Sequence, residues 1–129
     1  MKTVIRIAII SILMAFAVPV FAGGSAVMIY TCEQADTASE ADVVATAAEW
    51  LALAKTIKGG EKLETRVMFP VAASMPENDF MIAVIAPSFS EWGVFQDNYE
   101  AANVADEEKK FANIAACDSS ALWESFKQQ

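Results

Sequence analysis

Two short runs limit what this chain can fold into: SAVMIYTC at residues 25–32 and FMIAVIA at residues 80–86. In an extended chain, successive side chains point to opposite faces. Val27, Ile29 and Thr31 share one face of the first run, and Ala26, Met28, Tyr30 and Cys32 share the other. Both sets are largely apolar, and FMIAVIA is apolar on both faces as well. Strands of this kind belong inside a sheet that is covered on both sides. The rest of the chain must supply flanking strands and something to lie over each face.

The segments between and around these runs read in turn. TASEADVVATAAEWLALAKTIKGG, residues 37–60, predicts a helix. Thr37 with Glu40 three residues on has capping-box spacing. Val43, Val44, Ala47, Trp50, Leu51, Ala54 and Ile57 form one broad apolar stripe. Gly59-Gly60 supplies the stop. KLETRVMFPVAA, residues 62–73, alternates, with Leu63, Thr65, Val67, Phe69 and Val71 on one face. Pro70 cannot donate to a ladder, which marks an edge strand or a bulge. SMPEND at residues 74–79 reads as the turn into the second apolar run. Ser88 with Glu91 predicts a second capped helix, with Trp92, Phe95, Tyr99 and Ala102 at helical spacing. ADEEKKFANIAA, residues 105–116, predicts a short acidic helix that buries Phe111 and Ile114 and pairs Asp106 with Lys110. Glu107 and Glu108 read as its solvated surface. SALWESF, residues 120–126, reads as the last strand.

The N-terminus has a different character. Lys2 and Arg6 precede an apolar stretch from Ile7 to about Val20, and Val20-Phe21-Ala22 closes it. This is the layout of a secretory signal peptide cleaved after Ala22, with a membrane anchor as the competing reading. Removing residues 1–22 from the 129 leaves a single domain over residues 23–129. Losing Lys2 and Arg6 takes nine basic residues to seven against seventeen acidic ones, and the formal charge from −8 to −10. That balance argues against nucleic acid or an anionic membrane as partner. A periplasmic or secreted location follows, with no stable membrane insertion once the leader is removed. In such a compartment the two cysteines, Cys32 and Cys117, are expected to form a disulfide. Buried free thiols are the alternative. A zinc site or a thiol nucleophile finds no histidine and no Cys-x-x-Cys in this chain.

The element order is β-α-β-β-α-β with an extra short helix before the last strand. This is the ferredoxin-like split-βαβ pattern, an α+β fold with a four-stranded antiparallel sheet ordered 4-1-3-2. In that topology the end of the first strand lies beside the start of the last. Cys32 and Cys117, 85 residues apart, are thereby brought together. Two or three helices cover one face of such a sheet. The other face would carry either Met28 and Tyr30 or Val27 and Ile29, and an apolar face of that size is rarely left in water. A second copy of the chain is the economical cover, giving a two-fold homodimer. Wrapping by the extra helix and loops is the alternative.

This order resembles the dimeric α/β-barrel superfamily, in which two ferredoxin-like domains pack sheet to sheet. More narrowly, NDFMIAVIAPSFSEWGVFQDNY and ACDSSALWESF resemble a group of small exported bacterial proteins of unknown function. The shared features are Cys32 after the first strand, Asp79-Phe80 opening a hairpin strand, and the stretch from Cys117 to Trp123. The superfamily includes small monooxygenases, haem-degrading enzymes, chlorite dismutase-like proteins and stress-induced binding domains. Its haem enzymes commonly rely on a histidine ligand, and this chain has no histidine. For a ligand pocket, Tyr30, Trp92, Asn98 and Tyr99 are the candidate lining residues. Each also has a plainer role: Trp92 and Tyr99 as core packing, Tyr30 as part of a dimer interface. The resulting expectation is a non-enzymatic dimeric domain holding a small apolar ligand or a partner, with no cofactor and no metal. The alternatives are a cofactor-independent monooxygenase- or isomerase-like enzyme, and an interaction protein with no pocket.

Overall fold

The computed structural model describes residues 23–72, 76 and 79–128. The leader segment at residues 1–22 and most of the turn expected over 74–79 lie outside the described residues. Among these residues the elements run β1 (Ser25–Gln34), α1 (Glu40–Ala54), β2 (Glu64–Met68), β3 (Asp79–Ala86), α2 (Phe89–Tyr99), α3 (Ala105–Ile114) and β4 (Ala115–Ser125). The strands form one antiparallel sheet in the order β2-β3-β1-β4. The fold is ferredoxin-like α+β, and the two doubly apolar runs occupy its two central positions.

Local chemistry sets the boundaries. Helix α1 is capped by Ser39, not Thr37: the Ser39 hydroxyl accepts from Asp42 N, and the Asp42 carboxylate accepts from Ser39 N at 2.8 Å. Both Thr37/Glu40 and Ser39/Asp42 have the required spacing. A turn closed by Ala38 N donating to Ala35 O occupies the residues just before Ser39, so the helix starts at the second pair. After α1, Gly59 takes φ +89°, a region closed to most side chains. A Cβ there would also meet the Phe95 backbone nitrogen at 2.5 Å. Strand β2 stops at Met68, short of the expected span, and Pro70 lies beyond it. Val71, expected on the apolar face of that strand, is fully exposed.

Strand β4 is longer than the sequence pattern suggested. It begins at Ala115, directly out of α3, and pairs with β1 from Gln34↔Ala115 onward. Cys117 therefore lies within β4 rather than before it. Thr31 faces Ser119 while Cys32 faces Cys117, so Asp118 is an extra residue on β4. Without this bulge Cys32 would face Asp118. With it, Cys32 and Cys117 sit opposite each other and are joined by a disulfide.

The sheet's two faces are now distinguishable. Ala26, Cys32, Phe80, Ile82, Val84 and Ala86 are buried under the helices, with Met28 and Tyr30 packed at their margin. From the helices, Val43, Ala54, Trp92 and Phe95 close this core. Val27 pairs with Ile85 and Trp123, and Ile29 with Ala83 and Ala121, so these residues line the opposite, helix-free face. Trp123 there is 57% exposed and Met68 40%. Helix α3 has no fully buried residue; Phe111 and Ile114 are only half-buried. Lys110 does not pair with Asp106. Its ammonium reaches Glu107 at 2.8 Å and Glu49 of α1 at 3.3 Å, tying α3 to α1. No helix among the described residues is long and apolar enough to cross a membrane.

Candidate functional site

Between the helices and the covered sheet face lies a cavity of about 560 Å³. Helical spacing explains its walls. On α2, Trp92, Phe95, Gln96 and Tyr99 recur at i, i+3, i+4 and i+7, which is one face of the helix. On α1, Ala47 and Trp50 are three apart; on α3, Glu108, Phe111 and Ala112 share a face. The sheet contributes Tyr30 of β1, Thr65 of β2, Ile82 and Val84 of β3, and Ala115 to Cys117 of β4. The disulfide thus stands at the sheet end of the cavity, with Cys32 buried behind it and Cys117 reaching solvent.

Three polar groups are connected along one wall. The indole nitrogen of Trp50 donates to the Tyr99 hydroxyl at 3.0 Å, and that hydroxyl donates to Glu108 Oε1 at 3.4 Å. The second bond is long and correspondingly weak. Burial pushes the Tyr99 phenol above its ordinary pKa; the Trp50 N–H opposes this and the Glu108 charge adds to it. Burial also raises Tyr30. The Tyr30 hydroxyl forms no hydrogen bond with any described residue, which leaves a half-buried polar atom at the cavity wall. Aromatic packing holds the rest: Phe95 meets Trp50 edge to face at 6.2 Å and Tyr99 at 5.3 Å between ring centroids.

Of the four residues picked out from the sequence, Tyr30, Trp92 and Tyr99 line the cavity. Asn98 does not. It follows Asp97 round to the outer side of α2, where its amide donates back to Val94 O at 2.7 Å. Gln96 holds the polar position on the inner face instead. Trp50, part of the α1 apolar stripe, and Glu108, which is solvent-exposed as its place on the wet side of α3 implies, also line the cavity, and no sequence motif singles them out for it. The separation of Glu107 from Glu108 was legible only in part. Glu108 stands three residues before Phe111 and on its face, whereas Glu107 stands three before Lys110 and pairs with it. No group of three or more His, Cys, Asp or Glu among the described residues is placed to hold a metal.

The sheet order and the single helical layer define a ferredoxin-like α+β domain with a cavity under its helices. No family model matches the chain, and no curated protein matches it in sequence. Among solved structures, the fold is similar to that of SnoaB, a cofactor-independent oxygenase from Streptomyces nogalater. The TM-score is 0.54, with 6% identity, over 81% of this chain and 96% of that one. At that identity the likeness is one of fold, and fold alone does not assign chemistry.

Proposed function

We propose that this chain is an exported, dimeric domain that holds a small, largely apolar ligand in the cavity between its sheet and its helices, without transforming it. The cavity carries this reading. Its volume of about 560 Å³ is that of a small-molecule site, and its walls are mostly aromatic and aliphatic with few polar groups. Export rests on the leader-like residues 1–22 and on residues 23–129 as the mature domain. The Cys32–Cys117 disulfide fits an oxidising compartment. Dimerisation rests on the helix-free sheet face, where Val27, Ile29, Ile85 and the exposed Trp123 and Met68 form an apolar surface that a second copy would cover.

Native mass spectrometry of the protein purified oxidised from the periplasm tests all three parts. The expected species is a dimer lacking the leader, two hydrogens lighter per chain than the reduced form, with a small molecule retained. Ala47→Leu extends a side chain into the cavity from α1 and is expected to abolish retention while leaving the dimer intact. A monomer retaining nothing, or an A47L variant that retains the same mass, overturns the reading.

A second reading is favoured by one observation. The Trp50–Tyr99–Glu108 chain opens on an apolar cavity, and the fold neighbour is a cofactor-independent oxygenase. A carboxylate able to take a proton from an electron-rich phenolic substrate is the minimum such chemistry asks of a protein. Oxygen-electrode assays with a panel of electron-rich phenols decide it: uptake that Glu108→Gln abolishes establishes the oxygenase, and no uptake leaves the binding domain.

A further inference from the structure

The cavity's walls carry a charge preference that the binding reading leaves open. Five aromatic side chains from α1, α2 and β1 line it, Trp50, Trp92, Phe95, Tyr99 and Tyr30, with Phe111 facing them from α3. Aromatic faces carry negative quadrupole density. Glu108 is the single charged side chain among the described lining residues, and no lysine or arginine is one of them. On α3, the Lys110 ammonium is engaged by Glu107 and Glu49. Among the described residues, Glu108 gives only one oxygen to the protein, in the 3.4 Å bond from Tyr99. We propose that the cavity selects a small organic cation, an alkylated amine whose apolar body lies among the aromatic rings and whose charge is met by the Glu108 carboxylate.

The competing ligand charges fit worse. An anion would face a carboxylate and electron-rich rings with no cationic side chain to offset them. A neutral apolar molecule would fill the cavity but leave the solvent-exposed Glu108 carboxylate in its lining without a ligand charge to meet. A cation answers both features at once, since a charged nitrogen is attracted by ring faces and by the carboxylate. The whole chain, with 17 acidic against 9 basic residues, draws cations rather than anions toward it.

This inference rests on the proposal that the cavity binds a small ligand, and one set of probes separates the two. Choline, its uncharged carbon counterpart 3,3-dimethylbutan-1-ol and the anion 3,3-dimethylbutanoate have nearly the same shape and differ in charge. Ligand-observed NMR titrations of the disulfide-bonded protein are expected to give choline about tenfold tighter binding than the alcohol, with the anion failing to compete. In Glu108→Gln, whose fold is checked by near-UV circular dichroism, the choline-to-alcohol ratio is expected to fall to about threefold, the share left to the rings. The wild-type comparison needs no variant, so a misfolded E108Q does not obscure the answer. Equal binding of choline and the alcohol overturns the charge preference and leaves an apolar-ligand cavity standing. Absence of binding by all three overturns the cation site together with the binding reading beneath it.

Discussion

Replacing Cys117 by alanine cuts the one covalent tie between β1 and β4 while touching little else in the native state. The ten paired positions between the two strands remain, so the native sheet keeps its ladder. What changes is the unfolded chain. The disulfide closes a loop with a sequence separation of 85. For a loop of that length the chain-entropy relation gives about 4.6 kcal/mol at room temperature, a ceiling that residual denatured structure lowers to about 2–4 kcal/mol. A domain of about this size holds roughly 5–15 kcal/mol in all. The variant therefore stays folded at room temperature but melts roughly 10–25 °C lower.

Urea denaturation followed by far-UV circular dichroism, with oxidised wild type beside C117A and C32A/C117A, separates cross-linking from packing. An unlooped denatured chain exposes more surface, so the slope of free energy against urea is expected to steepen as the midpoint falls. Cys117 is solvent-exposed whereas Cys32 is 1% exposed. If the cross-link is responsible, C117A alone reproduces nearly the whole loss, and adding C32A costs only the further burial of one sulfur, on the order of 1 kcal/mol. If C117A melts with wild type and the loss appears only with C32A, the stabilisation is packing around Cys32 and the loop argument is wrong.

Two further predictions concern other parts of the fold. Gly59→Ala is expected to cost about 2 kcal/mol or more, because φ is +89° and the new Cβ meets the Phe95 backbone. Gly93→Ala, in α2 with nothing within 4 Å of its Cβ, is expected to gain about 0.5–1 kcal/mol, and matching thermal melts for the two variants would refute the conformational account. The second concerns pH. Tyr30 and Tyr99 hold their protons above the ordinary tyrosine range by burial, and Lys110 does so through its bonds to Glu107 and Glu49. In each case the native state binds the proton more tightly than the unfolded chain, so this stability is fully present below about pH 10 and is lost as pH rises beyond it. Urea midpoints should fall above pH 10 and fall less steeply in Tyr99→Phe; a midpoint that rises over that range contradicts the assignment.

The fold was legible because its central strands declare themselves. A run apolar on both faces has few places to go, and two such runs flanking a capped helix and an edge-type strand leave essentially one sheet order. Failures came where neighbouring residues compete for one role. Thr37 and Ser39 both head an acceptable capping box, and only the turn from Ala35 to Ala38 selects the second. Ala115 to Ser120 carries no apolar alternation and no β-branched residue, so nothing local announces a strand. Its extension is imposed by pairing with Glu33 and Gln34 across the sheet and by the disulfide. Tertiary pairing, not propensity, set that boundary.

The site was harder to read for a different reason. Large side chains stand out in a sequence, and Tyr30, Trp92 and Tyr99 are such residues that line the cavity. A cavity, however, is made by what is small. Ala47 on α1, Ala112 on α3 and Ala115 and Ala116 at the head of β4 stand around the aromatic wall, and in a sequence each passes for an ordinary helix former. A leucine or phenylalanine at those places would close the space, and Trp92, Phe95 and Tyr99 would then be the core residues their spacing suggests. The same rings serve as core on one edge and as cavity wall on another, because alanines face them across the gap. The aromatic stripe forms one wall, the alanines leave the room, and Glu108, three residues before Phe111 on α3, is the one charged side chain among the described lining residues, which is why the proposed ligand is a cation.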